Sequence, residues 1–289
     1  MNLKESLEIL RPINCLMGSL TIIIGLLNTR QGIPIERLII NLIFGIFTYF
    51  FLAGSGMVIN DIYDIEIDKI NRPERPIPRE AISLRQAKIL YFIYICIGLI
   101  FSVINSTIYG LGILNILVAL LFGGIGWIYA KWGKKSGFIG NLIVSISFSI
   151  GMVYGAILNS SIIPSYIYFF FFTSFFLLLS REIIKGCEDI EGDEKQGVRT
   201  LAIIIGIKKS TYYAIISAFL AILFFVLPIF TTILNVYLFT ISMAFGLIDV
   251  IYAVFLMIKS SKDKNFKKIS LLLKIGAFLG LFAFILASF

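Results

Sequence analysis

The chain has 289 residues, of which 58% are hydrophobic and 15% charged, with a mean hydropathy of +0.96 and a formal net charge of +8. Soluble domains carry about 25% charged and about 45–50% apolar residues, so this composition excludes a soluble enzyme, a disordered chain and a collagenous one. There is no histidine, and the three cysteines (Cys15, Cys96, Cys187) are scattered, which excludes imidazole catalysis, histidine metal sites, a disulfide framework and a zinc spacing.

Taken in chain order, the uncharged stretches can be measured against the roughly 20 mostly apolar residues that one membrane span requires. The opening MNLKESLEILRP is unlike a signal peptide: it has acidic residues and no short apolar run before a cleavage site. Residues 12–29 and 38–60 each predict one span. Residues 89–130 predict two, with a break near Asn105–Gly112. Residues 136–180 predict two more, broken near Asn159–Ser165. Residues 210–258 hold another two, broken near Pro228–Asn235, with one charge at Asp249, for which a hydrogen bond to a neighbouring helix is expected. Residues 275–289, extended back toward Ile269, form the ninth. The expected fold is all-α, a polytopic membrane protein built as a bundle of nine transmembrane helices.

Charge orients this bundle. With the N-terminus inside, the inner segments are 1–11, 61–88, 131–135, 181–209 and 259–274. They hold 23 of the 25 Lys and Arg residues, all except Arg30 and Arg37. The positive-inside rule then predicts a multi-pass protein of the cell membrane with its N-terminus cytoplasmic and its C-terminus outside. The positive net charge is topological and is no nucleic-acid footprint.

Two inner segments depart from this basic pattern. Of 17 acidic residues, six lie in 61–80 and six in 182–194. The first cluster continues the second span as Asn60-Asp61-Ile62-Tyr63-Asp64-Ile65-Glu66-Ile67-Asp68. On a helix, Asn60, Asp64 and Asp68 recur at i, i+4 and i+8 and share one face. Carboxylates at that spacing repel each other unless a cation lies between them, and carboxylate, water and phosphate oxygens are the usual surroundings of Mg²⁺. The second cluster continues the sixth span. There Glu182, Asp189 and Asp193 fall at i, i+7 and i+11, with Lys185 beside Glu182. Four spans separate the clusters, so both are expected at the same face. Two such sets can hold two Mg²⁺ ions bridged by a diphosphate, inside an anion cradle of Arg72, Arg75, Arg79, Lys131, Lys134, Lys135 and Arg199. Solvated juxtamembrane charge does not explain two aspartate-rich helix ends on one side.

These residues resemble the UbiA superfamily of intramembrane prenyltransferases. Asn60-Asp61-x-x-Asp64-x-x-x-Asp68 resembles its N-D-x-x-D-x-x-x-D motif, and Asp189-x-x-x-Asp193 followed by Gly197 and Thr200 resembles its D-x-x-x-D…G…T. Arg11-Pro12, Arg72-Pro73-x-Arg75-Pro76-x-Pro78, and Tyr129 with Lys134 resemble its flanking elements. The resemblance implies one prenyltransferase domain over 1–289, with active-site loops 61–88, 131–135 and 181–209 at the cytoplasmic face. It implies an isoprenyl diphosphate substrate held through Mg²⁺ by Asn60, Asp64, Asp68, Asp189 and Asp193, the four aspartates being the catalytic set. Arg11, Asn14, Arg72, Arg75, Tyr129, Lys134, Glu182, Lys185 and Arg199 are the further substrate-binding candidates. Glu182 matches a position where many members have Asp. The Phe- and Ile-rich spans, Tyr166–Phe176 above all, are expected to offer the prenyl tail an apolar slot or to face lipid.

Acceptors differ within this family. One branch moves geranylgeranyl from geranylgeranyl diphosphate to the hydroxyl of geranylgeranylglyceryl phosphate, forming the second ether bond of archaeal lipids. Others prenylate aromatic acids. Residues 38–60 contain no Lys or Arg to bind an aromatic carboxylate, whereas Lys185 suits a phosphate at the membrane surface. The glycerol ether phosphate is therefore the expected acceptor, with an aromatic quinone precursor as the alternative. An ion-coupled transporter is the rival class. It predicts ionisable residues at the bilayer midplane, where only Asp249 is expected. Gly18, Gly25, Gly54, Gly56, Gly123, Gly124 and Gly126 are read as sites of close helix approach.

Overall fold

A computed structural model of the chain describes residues 3–109, 113–195, 197–259 and 265–289. Every regular element within them is helical. α1 (Leu3–Ile9) and α2 (Pro12–Asn28) meet at Arg11, where the axis bends by 53°. Pro12 has no N–H to donate and disfavours a right-handed helical backbone at the residue before it. Arg11 accordingly takes a left-handed conformation, φ 52° and ψ 64°. α3 (Ile35–Tyr63) is followed by the short α4 (Ile65–Asn71), then α5 (Leu84–Tyr109), α6 (Ile113–Lys131) and α7 (Phe138–Ile157). α8 (Ser165–Glu188) runs into α9 (Ile190–Lys195), and α10 (Leu201–Ile205) precedes α11 (Ile207–Val226), α12 (Val236–Lys259) and α13 (Phe266–Leu286).

Eight of these helices, α3, α5, α6, α7, α8, α11, α12 and α13, are each long and apolar enough to cross a bilayer, and the bent α1–α2 pair makes up to nine among the described residues. The chain is a multi-pass membrane protein. The expected breaks between spans fall where proline stands: Leu158–Pro164 parts α7 from α8, and a 3-10 turn, Leu227–Phe230, holds Pro228 between α11 and α12. The break expected at Asn105–Gly112 lies later, since α5 continues through Asn105 to Tyr109, and residues 110–112 lie outside the described residues.

The chain forms two compact units, residues 1–132 with 154–162, and 133–153 with 163–289. In the first unit, α3 packs against α2, α5 and α6. Small residues let the helices close up. A Cβ on Gly18 would fall 2.5 Å from the Tyr49 ring, and one on Gly126 would fall 2.7 Å from Gly56 Cα. Gly54 leaves room for Leu10. In lipid no water satisfies a polar group, so amides pin the helices. Asn41 Nδ2 donates to Leu158 O at 2.7 Å, and Asn115 Nδ2 to Ser102 O at 2.9 Å.

In the second unit, α8 packs on α11 and α13, and α12 on α13. The Phe-rich start of α8 serves this packing. Phe170 is buried with its ring centroid 4.1 Å from that of Phe284, while Phe172 and Phe176 lie against Phe224. Asp249 faces α13 at Gly276, where a Cβ would stand 2.9 Å from Asp249 Oδ2.

Candidate active site

In the first unit the site grows from the end of α3. Asp64 adopts φ −94° and ψ 4° and parts α3 from α4, yet the backbone ladder continues through it. Asp64 N donates to Asn60 O at 3.0 Å, Asp68 N to Asp64 O at 2.8 Å, and Arg72 N to Asp68 O at 2.8 Å. Helical spacing therefore persists, and Asn60, Asp64 and Asp68 keep the shared face expected of them. Asp61, Asp64 and Asp68 are only 2%, 6% and 4% exposed.

Buried carboxylates need partners, because desolvating a charge costs several kcal/mol. Two arginines supply them. Arg75 Nη1 donates to Asp61 Oδ1 at 3.1 Å and also to Asp68 Oδ2. Arg11 Nη2 donates to the same Asp61 oxygen. Burial lowers the Arg11 guanidinium from its ordinary value, and the Asp61 charge opposes that shift. The left-handed turn at Arg11, the end of α3 and the Pro-rich segment 72–79 are thus tied through one carboxylate. Arg79 adds a second tie, donating to both Glu8 oxygens at 2.8 and 2.9 Å.

Asp61 is the site residue that spacing arguments missed. At i+3 to Asp64 and i+7 to Asp68 it borders their face, which lets one Arg75 nitrogen reach both Asp61 and Asp68. The available signal was the run of arginines before prolines at 11, 72 and 75. Of the expected anion cradle, Arg75 and Arg79 are engaged with carboxylates. Arg72 is exposed, and Lys131 extends over the Trp127 and Trp132 rings. Asn14 is exposed in the first turn of α2, and Tyr129 is half-buried near the end of α6. The side chains of Lys134 and Lys135 lie outside the described residues.

The second unit repeats the backbone device at the end of α8. Asp189 adopts φ −95° and ψ 11°. Its N–H donates to Lys185 O at 3.0 Å, and Asp193 N donates to Asp189 O at 2.9 Å. Glu182 accepts from the Arg181 guanidinium at 2.6 Å. Lys185 and Asp189 are exposed and Asp193 is half-buried. The segment after α9 turns at Gly197, φ 69°, which suits glycine. Arg199, itself exposed, and Thr200 then lie against Gly137, where any Cβ would collide with the Arg199 carbonyl. The Thr200 hydroxyl is buried with no hydrogen-bond partner.

Mg²⁺ fits the first set. Asn60 Nδ2 donates to Asp64 Oδ2 at 3.1 Å, leaving Asn60 Oδ1 buried and unpartnered beside a carboxylate. That is an oxygen donor of the type a hard cation takes. Among the described residues, no three acidic or cysteine side chains converge into a closed cage. A cation there would take few protein oxygens and complete its shell with water and phosphate, the usual habit of Mg²⁺.

Fold and site together define a class: a polytopic α-helical membrane protein with aspartate-rich ends on two of its helices. The model of the UbiA prenyltransferase family matches residues 19–286, and the chain belongs to that family. It is 36% identical to a digeranylgeranylglyceryl phosphate synthase of Saccharolobus solfataricus, an alignment covering 100% of this chain and 98% of the relative. It is 37% identical to the synthase of the same name from Methanosphaera stadtmanae, over 96% of this chain and 97% of that one. A solved structure described for digeranylgeranylglyceryl phosphate synthase in membranes shares 34% identity and a TM-score of 0.83, over 99% of this chain and 98% of the other. A UbiA homolog from Archaeoglobus fulgidus bound to GPP and Mg²⁺ has a TM-score of 0.71 at 16% identity, over 97% of this chain and 99% of that one, a likeness of fold.

Proposed function

We propose that this chain is a Mg²⁺-dependent prenyltransferase that moves the geranylgeranyl group of geranylgeranyl diphosphate to the free hydroxyl of geranylgeranylglyceryl phosphate, forming the second ether bond of an archaeal lipid. The observation that carries this reading is the α3 end: three buried carboxylates, two of them held by arginines, with an orphaned amide oxygen among them. The full-length likeness to enzymes named for this product supports the acceptor.

In this reading Asn60, Asp64, Asp68, Asp189 and Asp193 hold two Mg²⁺ ions on the diphosphate. Bound Mg²⁺ neutralises the departing diphosphate and so stabilises the charge that develops as the allylic C–O bond breaks. Arg75 and Arg11 spread positive charge behind Asp61 and Asp68 and fix the carboxylates before substrate arrives. The electron pair of the broken bond leaves with the diphosphate. The acceptor oxygen forms the new C–O bond, and its proton passes to a carboxylate or to a diphosphate oxygen. Lys185, exposed on α8, binds the acceptor phosphate, with Arg72, Arg199, Asn14, Tyr129 and Lys134 as further substrate contacts. In this reading the site and the N-terminus lie at the cytoplasmic face and the C-terminus outside, an orientation that the distribution of Lys and Arg supports.

The test is product formation by the purified chain with Mg²⁺ and geranylgeranyl diphosphate, offering either geranylgeranylglyceryl phosphate or 4-hydroxybenzoate. Ether product with the glycerol phosphate is expected. Product with the aromatic acid alone would replace the acceptor and leave the prenyl transfer standing.

A further inference from the structure

Gly124 sits mid-helix in α6, where glycine costs about 1 kcal/mol relative to alanine. Its neighbours earn their place: Gly126 meets Gly56, and Gly123 lies 3.6 Å, measured to an ideal Cβ, from Leu52. A Cβ on Gly124 would meet nothing within 4 Å, so the expectation that it allows helix approach is not met. It lines instead an apolar groove of about 240 Å³ between α5 and α6, floored by Leu52 of α3. Tyr91, Ile95 and Leu99 at i, i+4 and i+8 form the α5 wall. The eight steps from Tyr91 to Leu99 make the groove roughly 12 Å long at about 1.5 Å per residue.

One end of the groove is marked by aromatic and basic residues. Trp127 closes the α6 wall, and the Lys131 ammonium lies 4.7 Å from the Trp127 ring and 4.8 Å from that of Trp132. On the opposing wall Lys88 stands three residues before Tyr91, on the same helix face and exposed. Tryptophan, tyrosine and lysine at a helix end mark the headgroup level of a bilayer. An uncharged slot leading to two lysines is complementary to an alkyl or isoprenoid chain carrying a negative headgroup.

We propose that this groove is a binding site for one chain of an anionic phospholipid of the surrounding bilayer, with the headgroup phosphate on Lys131 and Lys88. The site lies wholly within the first unit and stands independently of the prenyl-transfer reading.

The chain's two tryptophans are Trp127 and Trp132, so intrinsic tryptophan emission reports on this end alone. The full chain is reconstituted in phosphatidylcholine vesicles containing a minor fraction of brominated-chain lipid, either phosphatidylglycerol or phosphatidylcholine. Brominated phosphatidylglycerol is expected to quench in excess of brominated phosphatidylcholine, matching about fivefold local enrichment for one lysine at an anionic surface. Replacing both lysines, Lys131→Gln with Lys88→Gln, should bring the two lipids together. Gly124→Leu fills the slot without a Cβ collision, so it should retain prenyl transfer in detergent yet lose the phosphatidylglycerol excess. Equal quenching in the unaltered chain overturns the proposal. An excess that survives Gly124→Leu overturns it too, by assigning the preference to surface charge alone. Emission shielded from both lipids would seat protein, such as a second copy, in the groove and would equally overturn it.

Discussion

The ends of α3 and α8 share one backbone design and differ in everything around it. Each helix stops at an aspartate with nearly the same torsions, Asp64 at −94°, 4° and Asp189 at −95°, 11°, and each continues its ladder into a short helix bearing a second aspartate. At α3 the carboxylates are buried; Arg11 and Arg75 hold Asp61, Arg75 also holds Asp68, and Asn60 donates to Asp64. At α8 Asp189 is exposed, and the arginine pair involves the adjacent residues Arg181 and Glu182. The same local geometry thus yields a preorganised, pre-neutralised set at one helix end and a more exposed set at the other. The first pays desolvation during folding; the second defers it until a ligand arrives.

The largest expected effect breaks the first set. Arg75→Ala leaves buried carboxylates short of a partner and should destabilise by about 3–5 kcal/mol, seen as a lowered unfolding midpoint in detergent. Arg181→Ala, at the second set, should cost no more than about 1 kcal/mol. Equal losses would erase the contrast. Replacing Asp61 by Asn together with Arg75→Met should recover part of the Arg75→Ala loss, since no unpaired charge then remains.

The next effect is on catalysis and should be symmetrical. Asp64→Asn and Asp189→Asn are each expected to lower turnover by about 10²–10³, the loss seen when one transition-state charge stabiliser is removed, and to shift the Mg²⁺ titration. Chelation should abolish turnover, and added Mg²⁺ should restore it. If both variants keep full activity at saturating Mg²⁺, the metal reading of the two motifs fails. A smaller and more selective effect is expected of Lys185→Ala. It should raise the acceptor KM about tenfold, in keeping with loss of one charge-assisted hydrogen bond, while leaving the diphosphate KM alone. Equal changes in both would move Lys185 to the diphosphate. The smallest effect should come from Glu8→Gln. The Glu8 hydrogen bond raises the Arg79 guanidinium above its ordinary value, but the pair lies at the surface, and neither midpoint nor turnover should move measurably.

Much of the site was legible before the fold, because its information is local. Helical spacing placed Asn60, Asp64 and Asp68 on one face, and the backbone hydrogen bonds through Asp64 and Asp189 show why that spacing survives the end of each span. What was not legible depended on approach in space. Arg75 and Arg11 read as free cations for an anion, and they are partners of Asp61, 14 and 50 residues away. The Phe run of α8 read as a slot for a tail or as lipid-facing filler, and Phe170 packs into the core of the second unit. Gly124 read like its neighbours and differs from them only in what stands opposite.

The sequence by itself determined that this protein crosses a membrane many times, where its spans break, and which helix ends carry the acids. Those properties follow from the cost of placing charge and unpaired backbone in hydrocarbon, which each segment incurs on its own. Only the tertiary structure decided which acids are buried, which arginines neutralise them, and which glycine opens a groove instead of closing a helix contact. Burial and pairing are properties of neighbours, and those neighbours come together only when the helices pack.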